Sequence, residues 1–90
     1  KYGITQNDKI IIPYEFDSIE VHQNLYYCIG KRATKDYTDL FYNVSVYNEN
    51  YELTASYDAM YGFNFNNISA VSKNKKWYFI TSSNEGKVIN

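Results

Sequence analysis

Residues 1–19 read KYGITQNDKIIIPYEFDSI, and this stretch decides the fold. Tyr2–Thr5 and Lys9–Ile12 are rich in side chains that favour strands, and the Asn7-Asp8 pair between them suits a tight reversal of the chain. Pro13 has no amide hydrogen to donate, so it ends the second strand or lies at a sheet edge. The stretch therefore predicts an antiparallel β-hairpin.

The rest of the chain has the same strand-favouring composition. Its 90 residues include 17 aromatic, 9 Ile, 5 Val and 5 Thr side chains, whereas Leu, Ala and Met together number 8. Residues 50–60 come closest to helical spacing, but their Thr, Ser and aromatic side chains favour a strand. We therefore predict an all-β fold. The further predicted strands are Phe16–Val21, Leu25–Ile29, Leu40–Tyr47, Tyr51–Thr54, Ile68–Lys73 and Trp77–Thr81.

Polar segments separate these strands. Turns are predicted at 22–24, 48–50 and 74–75, and a Phe-Asn loop at 62–67. Gly30–Asp39 is the most polar run of ten residues and is predicted to be a long surface loop.

The burial of particular side chains also follows from the pattern. Period-two alternation predicts that Leu40, Tyr42, Val44 and Val46 share one face of their strand. The residues Phe41, Asn43, Ser45 and Tyr47 are then expected on the other face. For the core we expect Ile11, Phe16 and Trp77.

An internal repeat underlies this pattern. The tetrad Phe16-Asp17-Ser18-Ile19 returns as Tyr57-Asp58-Ala59-Met60, 41 residues later, and Lys1-Tyr2 returns as Lys76-Trp77, 75 residues later. A bend at each tetrad aspartate would turn the flanking aromatic and aliphatic side chains inward, with the carboxylate accepting backbone amides at the bend. The sequence thus predicts a single domain, 1–90, of antiparallel hairpin repeats of about 35–41 residues each, stacked in an open sheet or solenoid-like array. Its units are approximately 1–40, 41–75 and a partial 76–90.

These residues resemble the WG-containing repeat family, also called the KWG repeat. The family's unit runs aromatic-Gly-aliphatic, a turn, Lys, aliphatics, Pro, and then aromatic-Asp-x-aliphatic. The first unit is similar over Tyr2-Gly3-Ile4 and 9–19, and the last unit over 70–80 and 86–89, with Tyr78 in place of the family's Gly. In the middle unit no Gly follows the aromatic, and Ala55 stands where Pro is expected. The resemblance implies a β-rich repeat domain, of a kind common in bacteria, without an established catalytic site.

Composition excludes several classes of function. The net charge is −1 and the pI about 5.7, which argues against nucleic-acid binding. No apolar run approaches the roughly 20 residues of a membrane helix, so we expect no membrane insertion. One cysteine cannot form an internal disulfide, and no zinc, calcium or phosphate-binding motif is present. We therefore expect neither a metal nor a cofactor.

Few residues could carry catalysis. His22 is the one histidine, and without a recognisable nucleophile or acid signature it is interpreted as a turn residue. Cys28 lies in a predicted strand and is expected to act as a small core hydrophobe. The lysines Lys73, Lys75 and Lys76 are interpreted as a solvated hairpin tip in preference to a phosphate site.

The large number of tyrosines is a stronger indication of function than the candidate catalytic residues. Eleven tyrosines are difficult to bury in a small core because each hydroxyl needs a partner. Tyr26, Tyr37, Tyr47 and Tyr51 stand beside polar or turn residues and are the candidate interaction surface. Exposed Tyr with Asn suits recognition of protein or stacking on carbohydrate, and the alternative is cross-strand aromatic pairing at the sheet rim.

Together these observations predict a non-catalytic β-repeat module that binds a protein partner, associates with itself or scaffolds an assembly. The alternative is a carbohydrate-binding module that uses exposed Tyr and Asn, Tyr47 and Tyr51 above all. A small hydrolase or enzyme regulator using His22 or Cys28 is the third hypothesis. The partial unit ends before its Pro and tetrad, so we expect the 90 residues to be a segment of a longer array or one piece of an assembly.

Overall fold

Nine antiparallel strands in two sheets form the described part of the chain. The computed structural model describes residues 1–35, 38–63, 68–81 and 88–89, and within these ranges it is all-β, as predicted. The first two strands form a two-stranded sheet, and the other seven form a second sheet in which strand order equals chain order. The strands are β1 Tyr2–Gln6, β2 Lys9–Phe16, β3 Ser18–His22, β4 Leu25–Lys35, β5 Thr38–Tyr47, β6 Leu53–Tyr61, β7 Ile68–Lys73, β8 Lys76–Thr81 and β9 Val88–Ile89.

Three of the reversals are two-residue turns with both residues at positive φ. They are Asn7-Asp8, Gln23-Asn24 and Asn74-Lys75, with φ between 50° and 66°. Such primed turns match the right-handed twist of the flanking strands, and polar residues tolerate the positive φ. The predicted turns at these places are confirmed. Pro13 lies inside β2, and within the described residues β2 pairs with β1 alone. It therefore lies in an edge strand, which is one of the two positions predicted for it.

The reversal between β5 and β6 is longer than predicted. Tyr51 has a φ of 63°, and the Asn48 amide donates to the Glu52 carbonyl at 2.9 Å. The Asn48 side-chain oxygen accepts the amides of Asn50 and Glu52 at 2.9 and 3.0 Å. Because Asn48 closes this turn, β6 begins at Leu53 and not at Tyr51.

The predicted loop at Gly30–Asp39 is wrong. β4 continues to Lys35 and β5 begins at Thr38, so only positions 36 and 37 of that run lie outside the described residues. The polar strand is stable because pairing with β5 satisfies its backbone. Arg32 lies over the Phe41 ring at 5.2 Å and forms ion pairs with Glu20 on β3 and Asp39 on β5. The predicted Phe-Asn loop falls largely at 64–67, which also lie outside the described residues.

The predicted alternation along β5 fails at Asn43. Val44 and Val46 share one face, as the alternation predicts, and both lie in the main core, but Phe41 joins them there while Tyr42 is exposed. Asn43 has a φ of 55°, which turns the strand and reverses the faces of the residues before it. Gly30 lies opposite this bend, and a Cβ there would be 2.9 Å from the Asn43 Cβ and carbonyl oxygen. A residue without a side chain is therefore required beside the bend.

The two tetrads share two features but lie in different apolar clusters, Phe16 with Ile12 and Cys28 and Tyr57 in the main core. Phe16 and Tyr57 are both buried, and Tyr57 and Met60 both enter the main core. The Asp17 carboxylate accepts the Arg32 amide at 3.2 Å, and the Asp58 carboxylate accepts the Asn74 amide at 3.0 Å. Both carboxylates accept a backbone amide, but the donors lie 15 and 16 residues further along the chain and not at the bend itself, where the sequence predicts them.

Two apolar clusters cover opposite faces of the large sheet. The main core lies on one face and contains Leu25, Tyr27, Ile29, Phe41, Val44, Val46, Tyr57, Met60, Val71 and Ile80. On the other face, the β1–β2 hairpin packs Ile12 and Phe16 against Cys28 of β4. Phe16 is in the core as predicted and Ile11 is partly buried. The expectation for Trp77 is wrong because its side chain is 53% exposed.

Candidate interaction surfaces

The two candidate catalytic residues lie on opposite faces of the sheet. His22 ends β3 beside its turn, and its ring contacts Phe63 and Tyr27 of the main-core face, with centroids 4.8 and 5.5 Å away. Its Nε2 lies 3.0 Å from a Glu20 carboxylate oxygen. Cys28 lies beneath the β1–β2 hairpin on the other face. The arrangement does not bring the thiol and the imidazole together.

Cys28 is a buried thiol and not an activated nucleophile. Its side chain has no exposed surface, and burial raises the pKa of the thiol to about 11. It is therefore protonated at neutral pH and behaves as the small core hydrophobe that the sequence predicted. Among the described residues there is also no group of three His, Cys, Asp or Glu side chains that could hold a metal ion.

Three of the four candidate tyrosines lie together at one end of the sheet. Tyr26 and Tyr47 are directly paired across β4 and β5, and Tyr51 stacks on Tyr26 with ring centroids 5.4 Å apart. All three are half-buried against the cluster beneath the hairpin. The hydrogen bond between the Tyr26 and Tyr51 hydroxyls is the main cause of a raised pKa at Tyr26, and burial raises the pKa of Tyr47. Tyr37 lies outside the described residues.

A polar cleft opens beside these tyrosines. It has a volume of about 230 Å³ and lies between the β3–β4 turn and the β5–β6 turn. Its lining residues are Gln23, Asn24, Leu25, Asn48, Glu49 and Asn50. Sequence reasoning predicted both turns but did not combine them. In a sheet whose strand order equals chain order, alternate turns lie at the same end of the sheet. The order of the predicted hairpins could therefore have indicated that these two turns are neighbours.

Sequence reasoning missed an exposed aromatic surface on β6 and β8. Trp77 and Phe79 are exposed to 53% and 62%, and Tyr61 to 39%, with the Tyr61 and Trp77 rings 5.6 Å apart. Ser72 and Ala70 are the direct cross-strand partners of Trp77 and Phe79, so the aromatic rings stand beside small side chains. We call Tyr61, Trp77 and Phe79 the β6–β8 patch.

The orientation of the patch follows from the next residues along β8. Tyr78 and Ile80 pack against the main core, so Trp77 and Phe79 must point to the opposite face of the sheet. Alternation along Trp77–Ile80 separates Trp77 and Phe79 from Tyr78 and Ile80 in the sequence, but because all four side chains are apolar it does not say which pair is exposed.

The β7–β8 hairpin beside the patch is basic. Lys73, Lys75 and Lys76 are exposed around the Asn74-Lys75 turn, as predicted for a solvated tip. The segment 68–81 carries these three lysines and no acidic residue. The carboxylate of Asp58 on β6 accepts the Asn74 amide at this tip.

Comparisons with protein-family models, curated proteins and solved structures find no match to this chain. The similarity to the WG-containing repeat therefore depends on the quoted residues alone. Within the described ranges no helix has the length and apolar character of a membrane span.

Proposed function

We propose that this chain is a non-catalytic β-repeat module that binds protein through the β6–β8 patch. The observation that carries the proposal is the exposure of three large aromatic side chains side by side on one sheet face. Clustered exposed apolar surface usually marks an interaction site, and Trp and Tyr are enriched among the residues that dominate binding energy.

The proposal includes the repeat interpretation. In both tetrads the aromatic residue is buried and the aspartate accepts an amide from a later strand. The fourth residue of each pairs with the next strand, Ile19 with Cys28 and Met60 with Val71. These parallels support two units of one kind, followed by a partial unit that begins at Lys76-Trp77.

The chemistry of the patch and its surroundings defines the partner. Its centre is aromatic and its border at the β7–β8 turn carries lysines, so a complementary surface is apolar in the middle and acidic at the edge. Truncating Trp77 and Phe79 together should remove the contact while leaving the two apolar clusters intact, because neither residue belongs to them.

The test is affinity purification with the intact chain and with a Trp77→Ser/Phe79→Ser variant. Val21→Ser on β3 is the matched control, since Val21 is an equally exposed apolar residue outside the patch. We expect a protein that is retained by the wild type and by Val21→Ser but lost from the patch variant. Trp77 is the sole tryptophan, so its emission should shift to the blue when the purified partner is added. Equal retention by all three chains would refute the proposal.

Carbohydrate binding in the polar cleft is the second candidate. The cleft is lined largely by amides and one carboxylate, with the Tyr26–Tyr51 stack next to it, whereas most small-molecule sites are apolar. Such a lining suits a ligand with many hydroxyl groups and one face for stacking. Glycan-array binding should then be lost in Tyr51→Ala and Tyr47→Ala but kept in Tyr14→Ala, an exposed tyrosine that does not line the cleft. No binding by the wild type would remove this candidate.

A further inference from the structure

We propose that the β1–β2 hairpin is exchanged between two copies of this chain, so that the hairpin of each copy packs on the large sheet of the other. The inference concerns the sheet face beneath the hairpin and does not use the β6–β8 patch, so it goes beyond the proposed function. The structure itself shows what fits this face, because the hairpin of a second copy is identical to the one that already covers it.

The first observation is that apolar side chains, and not strand pairing, hold the hairpin on the large sheet. The two strands of the hairpin pair with each other, and among the described residues no backbone hydrogen bond joins positions 1–16 to the large sheet. The centre of the contact is Ile12 and Phe16 packed against Cys28. Detachment of the hairpin therefore breaks no strand pairing in either sheet, and the hairpin of a second copy can restore the apolar contacts that are lost.

The second observation is the short connection between the hairpin and the large sheet. Asp17 alone separates β2 from β3, so the chain passes from one sheet to the other within a single residue. A hinge this short restricts how the hairpin can fold back on its own sheet, but it does not restrict packing on a second copy. Neither Phe16 nor Asp17 has a positive φ, so the hinge can straighten without leaving a left-handed conformation. The straightened segment 9–22 would form one continuous strand.

The third observation is that the hinge residue is anchored to the large sheet and not to the hairpin alone. The Asp17 amide donates to the Ile29 carbonyl at 2.8 Å, and the Asp17 carboxylate accepts the Arg32 amide at 3.2 Å. Both partners lie on β4 of the same chain, so both hydrogen bonds can persist when the hairpin leaves. The bonds that hold β3 in its sheet are therefore independent of which copy the hairpin covers.

The experiment refolds the chain from urea at low and at high protein concentration, with a reductant present so that Cys28 cannot link copies. Gel filtration of the wild type refolded at high concentration should show a dimer that persists after dilution, because return to monomer requires both hairpins to detach. Inserting Gly-Ser-Gly-Ser between Phe16 and Asp17 frees the hairpin to fold back, so the dimer fraction should fall at least about tenfold. The same insertion between Asn74 and Lys75, a turn away from the hinge, is the matched control and should leave the dimer fraction unchanged.

An engineered disulfide identifies which copy contributes the hairpin. Ile12→Cys places a second thiol in the cluster that contains Cys28. After the reductant is removed, the isolated monomer should form an internal disulfide and the isolated dimer a disulfide between copies, which denaturing electrophoresis separates. Ile12→Cys/Cys28→Ser retains only the new thiol and should give no covalent dimer. Circular dichroism checks that each variant folds.

Three outcomes overturn the inference. A wild type that yields only monomer at high concentration does so, as does a dimer that is unaffected by the hinge insertion. A dimer whose disulfide forms within each copy also does so, because its hairpins have not been exchanged.

The patch variant separates this inference from the proposed function. Trp77→Ser/Phe79→Ser keeps the hairpin, the hinge and the covered face, so it should dimerise like the wild type. If it stays monomeric, the copies meet through the patch and the exchange of hairpins is wrong. If it dimerises normally but retains the same proteins as the wild type in affinity purification, the proposed function is wrong and the exchange stands.

Discussion

Asn43 determines the path of the central strands, and its neighbour Gly30 makes room for it. The positive φ of Asn43 lets both Phe41 and Val44 enter the main core, which an alternating strand would forbid. Because a Cβ at position 30 would meet backbone and Cβ atoms of Asn43 at 2.9 Å, we expect Gly30→Ala to cost about 1–3 kcal/mol.

Substitutions at Asn43 itself show whether its positive φ or its side chain matters for stability. Asn43→Ala should cost about 1 kcal/mol, since alanine lacks the polar group that helps asparagine adopt positive φ, and Asn43→Gly should cost less. Urea unfolding measures the free energies. If the Ala and Gly variants lose the same free energy of unfolding, the positive φ at this position does not contribute to the loss.

Cys28 makes stability depend on pH. Its pKa is about 11 when folded and about 8.5 in an unfolded chain, so the unfolded state loses its proton first. The contribution of the buried thiol is complete below pH 8.5 and is lost as the pH rises towards 11, at about 1.4 kcal/mol per pH unit. Between pH 8 and 10 we expect the free energy of unfolding to fall by roughly 2 kcal/mol more in the wild type than in Cys28→Ala. Parallel pH profiles for the two chains would contradict this expectation. Burial also raises the pKa of Tyr57, to about 12, but that residue is present in both chains.

At the scale of strands, the local sequence predicts most of the elements. It fails where pairing with a neighbouring strand, and not the strand's own composition, stabilises the extended chain. The β7 bounds and the Asn74-Lys75 turn agree with the sequence because apolar alternation and turn residues both point the same way there. The polar half of β4 was predicted as loop because Lys31 and Arg32 have no apolar pattern. Its stability comes from pairing with β5 and from contacts of Arg32 that only the fold brings together.

Of the two candidate surfaces, one could be predicted from the sequence and the other could not. The Tyr26, Tyr47 and Tyr51 group could be anticipated from composition, because each lies beside a predicted turn. The β6–β8 patch could not be separated from the core by composition, since a tryptophan and a phenylalanine are equally suited to burial. Only the inward direction of Tyr78 and Ile80 decides that Trp77 and Phe79 face outward.

The strands β6 and β8 therefore carry two kinds of large side chain with opposite roles. Met60 is 1% exposed in the main core, so Met60→Ala should cost about 2–5 kcal/mol. Trp77→Ser should cost about 1–2 kcal/mol, less than Met60→Ala despite the larger side chain, because half of that side chain is already in water. Thermal unfolding at a fixed low concentration compares the two. A Trp77→Ser loss as large as that of Met60→Ala would place Trp77 in a core and remove the basis for the patch.

The whole molecule has two apolar clusters separated by one sheet, and this predicts that it opens in parts. The β1–β2 hairpin is held by a cluster centred on Ile12, Phe16 and Cys28, whereas the long strands share the larger core. Detachment of the hairpin would uncover Cys28 without disturbing the main core, so the labelling rate of its thiol under native conditions reports that local opening. Phe16→Ala removes a buried ring from the smaller cluster, worth about 3 kcal/mol, and should speed labelling by roughly 100-fold. Met60→Ala weakens the chain by a comparable amount on the other face and should leave the native labelling rate near that of the wild type. The same acceleration in both variants would mean that Cys28 is uncovered only by unfolding of the entire chain, with hairpin and sheet acting as one cooperative unit.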